Sequence, residues 1–415
     1  MLTAIIEQIC RSERARVLAG LIRRFGDFDL AEDALQDAFA KALELWPRRG
    51  LPATPAAWLT TVAQRRALDL LRRQRSGPAY GQEPPDMAAP EPAEFETDPA
   101  ELSGVEDDRL RLVFTCCHPA ISPQAQTALA LRTLCGLSTR EIARAFLEPE
   151  ATTAQRLVRA KKKILDARIP YEVPPREELA QRLQVVLGVV YLVFNEGYAA
   201  TETPGLIRPD LCAEAIRLAR LLVDLVPDEP EVTALLALML LHDARRATRI
   251  DTDGALVALE EQDRARWNRG AIDAGVALLE QALAQRRRGP YQLQAAIAAL
   301  HAQAPRSEDT DWKQIAALYG GLLREQPSPV VELNAAVALA MAEGAEKGLA
   351  WIAQLDARGE LQDYHLLHAA RADLLRRLGR FAPAHSAYRA ALALVRNDAE
   401  RRYLERRLRQ CAVPS

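Results

Sequence analysis

The stretch Leu137–Ile164, LSTREIARAFLEPEATTAQRLVRAKKKI, decides how the chain is read. Leu137, Glu141, Ile142, Ala145 and Phe146 recur at helical spacing, and a proline-containing break follows at Leu147–Glu150. A second helical pattern opens at Thr152-Thr153 with Leu157 and Ile164 on its apolar side; the other side offers Gln155, Arg156, Arg159, Lys161, Lys162 and Lys163. Two helices joined by a short turn, the second dense in cations and in amide and hydroxyl donors, predict a helix-turn-helix. The reason is geometric. A single helix fits the major groove, its N-terminal side chains reach base edges, and flanking Lys and Arg neutralise phosphates. A helical hairpin with a solvated cationic face competes for this stretch taken alone, and a second basic element nearer the N-terminus weighs against it.

That second element closes an N-terminal block. Leu2 to about Phe25 reads as one amphipathic helix with Ile5, Ile6, Ile9, Val17, Leu18, Leu21 and Ile22 inside. Gly26–Asp29 breaks it, and Asp29 is the expected N-cap of a second helix over Leu30–Leu45, with Glu32 and Asp33 where the helix dipole favours acids. Trp46-Pro47 is expected to end that helix. A third runs from Pro55 to about Arg75, with Trp58, Leu59, Val62, Ala63, Leu68 and Leu71 inside and Gln64, Arg65, Arg66, Arg72, Arg73 and Arg75 outside.

Between the two basic blocks, the chain from Gln82 to Asp108 has many carboxylates and prolines and no Lys or Arg. It lacks the apolar surface needed to offset chain entropy, which predicts a flexible acidic linker. The net charge of −2 therefore conceals an uneven distribution. Three prolines in Pro170–Arg176 mark a further boundary, after which the pattern is a long helical array. Val330–Ala342, Gly344 and Lys347–Leu355 are echoed by Tyr364–Leu378, Gly379 and Ala382–Leu394, at an offset close to that of a tetratricopeptide (TPR) unit. Leu211–Val226 with Glu231–Ala244, and Ala271–Arg287 with Tyr291–Ala302, are looser copies. The expected architecture is all-α: residues 1–78, a linker over 79–108, residues 109–170 with the helix-turn-helix, and a TPR-like domain over 171–415.

Composition narrows the function. With 415 residues, two or three domains are expected, and aromatics at 5% with an Ala-, Leu-, Arg- and Glu-rich pattern fit helices throughout. Six cysteines without a CxxC pair point to a reducing, cytoplasmic compartment, and Cys116-Cys117 are expected as buried thiols rather than metal ligands. No apolar run has the length of a membrane span. The six histidines are scattered with no nucleophile at suggestive spacing, and no glycine-rich phosphate loop is present, so neither catalysis nor a cofactor or metal is expected.

With both basic elements placed, the chain resembles sigma factors of the extracytoplasmic-function (ECF) class of the sigma-70 family, in the branch with a C-terminal TPR-like domain. Ala31-Glu32-Asp33-Ala34-Leu35-Gln36-Asp37-Ala38-Phe39 resembles the core of sigma region 2, and Trp58-Leu59, Val62-Ala63 and Ala67–Arg73 resemble its promoter-reading helix. Leu137–Ile164 resembles region 4, while Phe114–Pro119 and Tyr191–Tyr198 (YLVFNEGY) resemble signatures of the TPR-bearing branch. Two departures stand out: Arg65 replaces a usual Asn, so that single contact does not transfer, and Leu147 occupies a turn position often held by Gly.

The resemblance implies a non-enzymatic factor that lends promoter recognition to RNA polymerase core. Asp33, Gln36 and Asp37 would dock on the β′ clamp and region 4 on the β flap. Trp58, Arg65, Arg66, Asp69, Arg72 and Arg73 would engage the −10 element of promoter DNA. Thr152, Thr153, Gln155 and Arg156 would reach −35 base edges, with Arg159, Lys162 and Lys163 on phosphates. The TPR-like domain would act within the chain or recruit a protein partner, and the resemblance favours a required element over a brake. A one-component helix-turn-helix regulator with a sensing helical domain is the main rival. It leaves Ala31–Phe39 and Trp58–Arg73 without a task.

Overall fold

The structure is a computed structural model describing residues 2–76, 105–146, 148–199 and 206–411. Most of the expected linker (79–108) lies outside the described residues. Among these, regular structure is helical with no strand, as the pattern predicts; one isolated bridge pairs Ile250 with Leu256. The chain divides into two units, Met1–Val189 and Val190–Ser415.

The first unit holds α1 (Leu2–Phe25), α2 (Phe28–Arg49), α3 (Pro55–Ser76), α4 (Val105–Cys116), α5 (Pro123–Thr133), α6 (Thr139–Ala145), α7 (Glu150–Asp166) and the first part of α8 (Arg176–Tyr198). Helix α2 starts and stops differently from expectation. Gly26, at φ 69°, turns the chain, and the N-cap is Asp27 rather than Asp29. Its carboxylate accepts from the amides of Asp29 at 2.9 Å and Leu30 at 3.1 Å. At the other end the helix runs on through Trp46-Pro47 to Arg49, although Pro47 has no amide to donate to the carbonyl one turn back. Gly50, at φ 85°, ends it by donating to the Trp46 carbonyl at 3.0 Å. Leu30, Ala31, Ala34, Leu35, Ala38, Ala42 and Trp46 recur at three- and four-residue steps and form the buried stripe of α2. The Trp46 and Trp58 rings meet edge-on at 5.3 Å.

Helix α4 opens at Val105, so the end of the expected linker is helical instead. Asp108 is buried, taking bonds from Arg111 at 3.1 Å and an ion pair with Arg23 at 3.3 Å. The Tyr171 hydroxyl reaches the carbonyls of Asp108 (2.8 Å) and Ala19 (3.1 Å), which ties α4 to α1. Leu112, Phe114 and Leu129 are fully buried here. Each such side chain contributes about 1.5–3 kcal/mol by leaving water. Cys116 and Cys117 are buried as thiols, and burial pushes Cys116 up to about 12.

The second unit is built from helix pairs: α9 (Pro209–Leu225) with α10 (Pro230–Asp243), α11 (Arg269–Ala284) with α12 (Pro290–Gln303), α13 (Trp312–Glu325), α14 (Pro329–Glu343) with α15 (Ala345–Ala357), α16 (His365–Arg377) with α17 (Phe381–Leu394), and α18 (Asp398–Gln410). Each pair predicted from self-similarity is present as two helices. Gly344 (φ 112°) and Gly379 (φ 70°) turn the two best-matched hairpins. Close approach explains Gly348, where a Cβ would stand 2.7 Å from the Ala336 carbonyl of α14. Leu333, Ala336, Ile352, Leu355 and Leu367 then form one layer of core and Ala372, Ala384, Tyr388 and Leu404 the next, as stacked hairpins require.

Candidate nucleic-acid and polymerase interface

On α2 the three expected docking residues share a face at i, i+3 and i+4. Asp33 and Gln36 are exposed, whereas Asp37 is half-buried and bound to Arg66 of α3. Arg66 is thereby a brace between helices as much as a free cation. Further along α3, Arg65, Arg72 and Arg73 are exposed, and Asp69 lies 3.6 Å from Arg72. Trp58 does not belong to this surface. It is 6% exposed, because positions 58, 59, 62, 63 and 67 form the inward stripe of α3, and its ring packs on Trp46. Leu68, expected inside, is 38% exposed among the arginines.

Helix α7 is entered through a capped turn. Ser138 and Glu141 cap α6 reciprocally, amide to carboxylate at 2.6 Å and amide to hydroxyl at 3.2 Å, a box legible in the S-x-x-E spacing. After the turn, Glu148 gathers two of the expected base-edge residues. The Thr153 hydroxyl donates to it, and Arg156 donates two bonds, one of 2.6 Å, while lying 5.4 Å over the Phe146 ring. These bonds, Arg156 first and Thr153 next, hold the Glu148 carboxyl below its ordinary range. Thr153 is fully buried, so its hydroxyl braces the α6–α7 turn and is turned away from the surface. Thr152, Gln155, Arg159, Lys162 and Lys163 are exposed, the first four at i, i+3, i+7 and i+10 along one stripe.

Lys161, read as part of the outer cationic face, is buried. Its ammonium lies 2.8 Å from both the Asp29 and the Glu32 carboxylates of α2. Burial alone would pull this ammonium down; the Glu32 and Asp29 carboxylates outweigh it and hold it above its ordinary value. Glu32 itself is enclosed, with Arg132 at 3.4 Å and Arg14 at 3.7 Å on its second oxygen. Burial keeps the Arg14 guanidinium below its usual range, with Glu32 opposing. A five-residue ionic cluster thus joins α1, α2, α5 and α7. Sequence carried part of the signal, since Thr153, Leu157, Ala160, Lys161 and Ile164 fall on one helical face. The partner, more than a hundred residues away, left none.

Three family models match the chain. Sigma-70 region 2 covers residues 9–77, Sigma-70 region 4 covers 111–164, and a family of unknown function (DUF6596) covers 182–283. An uncharacterized protein of Rhizobium meliloti is 46% identical over 99% of this chain and 97% of its own length. A probable ECF RNA polymerase sigma factor, SigI of Mycobacterium tuberculosis, is 28% identical over 40% of this chain and 57% of its own length. No solved structure matches. The first two models fall on the α1–α3 and α4–α7 blocks, and the third begins within α8.

Proposed function

Because the chain belongs to the sigma-70 family, in its extracytoplasmic-function class, we propose that it directs RNA polymerase core to promoters through two separate faces of its N-terminal unit. Asp33 and Gln36, with Asp37 beside them, dock α2 on the polymerase clamp. Arg65, Arg72 and Arg73, supported by Arg66 and Asp69, take the backbone of the −10 element along α3. Thr152 and Gln155 read the −35 element from the outer stripe of α7, and Arg159, Lys162 and Lys163 hold phosphates. Thr153 and Arg156 set the pitch of that helix through Glu148. The region 4 block meets the β flap, and acidic residues between 82 and 104 stand in for RNA phosphates in a cationic polymerase channel. The C-terminal helical unit enables activity.

The observation that carries this reading is the outward stripe of α7. Its opposite side is packed, and the exposed side is spaced for one groove and ordered from hydroxyl and amide to cation. Transcription in vitro with purified core on linear promoter fragments tests it. Transcripts starting at discrete sites, lost on Gln155→Ala with Arg159→Ala, are expected; a protein that neither binds core nor starts transcripts would overturn it. Truncation after Arg176 should abolish those transcripts. Reversing several of the 82–104 carboxylates to Lys should weaken core binding, and unchanged binding would reduce that stretch to a spacer.

A further inference from the structure

In the C-terminal unit, α8, α10, α12, α13 and α14 converge on a cavity of about 550 Å³. That volume lies in the range of small-molecule sites, about 300–1,000 Å³. One wall comes from the signature YLVFNEGY, which promoter recognition leaves unused. Tyr191 and Asn195, one turn apart, face the cavity, while Phe194 and Tyr198 stack behind them at 5.6 Å. Tyr291 meets Tyr191 edge-on at 5.6 Å, and Trp267 is fixed by its indole N–H donating to Thr248 at 3.0 Å. The walls are therefore aromatic and held in place.

The polar lining has one sign. Among the described residues, no aspartate or glutamate lines the cavity, and Arg245 is its single full charge. The Arg245 guanidinium donates to His242 Nδ1 at 3.1 Å and makes no carboxylate ion pair among the described residues. An arginine cannot accept, so His242 carries its proton on Nε2 and is neutral. Burial, with the Arg245 and Arg249 guanidiniums, holds His242 well below its ordinary range, and burial with Arg245 and Arg264 lowers His301 to about 4. At neutral pH neither imidazole competes with a cation for space or charge. An arginine without a counter-ion, inside an aromatic cavity that contains no acid, is arranged for an anion brought from outside.

We propose that this cavity binds a small organic anion, its planar apolar body against Tyr291 and Trp267 and its carboxylate or phosphate on Arg245. Enclosure by five helices at one spot, rather than a groove along the array, favours a small molecule over an extended peptide. The five chain segments it would bridge make it a place where a metabolite stiffens the unit.

Calorimetry and titration of the full chain with 1-naphthylacetate, 1-naphthyl phosphate and uncharged 1-naphthylacetamide test the idea. At least one anion should bind one-to-one and raise the melting temperature by roughly 2–4 °C at saturating concentration. The amide should bind about tenfold or more weakly. The tighter anion identifies the head group. Arg245→Gln should weaken the anion by about ten- to a hundredfold and Arg245→Lys by less. Should Arg245→Gln fail to fold, Ala298→Trp, which fills the cavity from a half-exposed position and keeps Arg245, should abolish binding. No binding of either anion at millimolar concentration, equal binding of the amide, or binding that survives Ala298→Trp would each overturn the proposal.

Discussion

Along α3, Arg65, Arg72 and Arg73 are exposed and Arg66 crosses to a neighbouring helix, to Asp37 of α2. Along α7 the balance shifts. Arg156 is bound by Glu148, Lys161 is enclosed by Asp29 and Glu32, and Arg159, Lys162 and Lys163 remain outside. Two helices equally rich in cations thus divide them differently between structure and surface. The position of each cation relative to the apolar stripe decides its fate. Lys161 sits beside Ala160 and four residues from Leu157, so it is carried inward, and a carboxylate must meet it there. Arg72 and Arg73 lie off the stripe of α3 and stay exposed, Arg72 beside Asp69 of its own helix.

The largest effect should come from breaking the enclosed cluster. Glu32→Gln leaves Lys161, Arg14 and Arg132 crowded without their shared anion, and should destabilise the N-terminal unit by about 3–5 kcal/mol. The denaturation midpoint should fall at unchanged m-value. Adding Lys161→Met should recover part of the loss, since an apolar replacement of a buried pair is often neutral. Arg72→Ala on α3 should move the midpoint by no more than about 0.5 kcal/mol. A Glu32→Gln protein as stable as the parent would mean that packing alone joins α2 to α7.

This contrast also marks what the sequence could reveal. The three N-terminal helices, the helix-turn-helix, the C-terminal helix pairs with the turns of the best-matched hairpins, and the outer stripe of α7 follow from spacing, glycine and proline, whereas α5, α13 and α18 do not stand out and the start of α4 reads as linker. Those are local signals, set by residues within a turn or two of each other. The resemblance assigns Trp58 and Thr153 to DNA, whereas the helical pattern puts Trp58 inside, and both side chains are buried. Glu32 reads from its position as a first-turn acid favoured by the helix dipole, because nothing nearby announces a lysine at position 161. Long-range pairing leaves no trace in a single sequence, and the same holds for the cavity, whose lining is drawn from five helices.

Next in size are the surface cations. In holoenzyme binding to a promoter fragment, Arg159→Ala and Lys162→Ala on α7, and Arg72→Ala and Arg73→Ala on α3, should each flatten the plot of log K against log salt by about 0.9. Arg156→Ala should leave the slope unchanged and lower stability instead. A slope change from Arg156→Ala equal to that from Arg159→Ala would erase the distinction between bound and free cations on α7. The converse substitution, Glu148→Gln, releases Arg156 and should steepen the slope by about 0.9.

The smallest effect is a titration, and its sign separates the two ties of α7. Arg156 and Thr153 hold the Glu148 carboxyl below its ordinary range. The stabilisation they represent is therefore complete above the ordinary carboxylate pKa and fades as pH falls through the lowered value. Lys161 is shifted the other way, above its ordinary value, so its contribution is complete below the ordinary lysine pKa and fades only as alkaline pH passes the raised one. Amide exchange at Thr152 and Thr153 should accelerate at the acid end alone, and in Glu148→Gln that acid response should be flat. Exchange near Ala160 should accelerate at the alkaline end. Because α3 has no contact with Glu148 or Lys161 among the described contacts, its amides should follow neither profile. Loosening of α7 near neutrality would mean that neither carboxylate governs it.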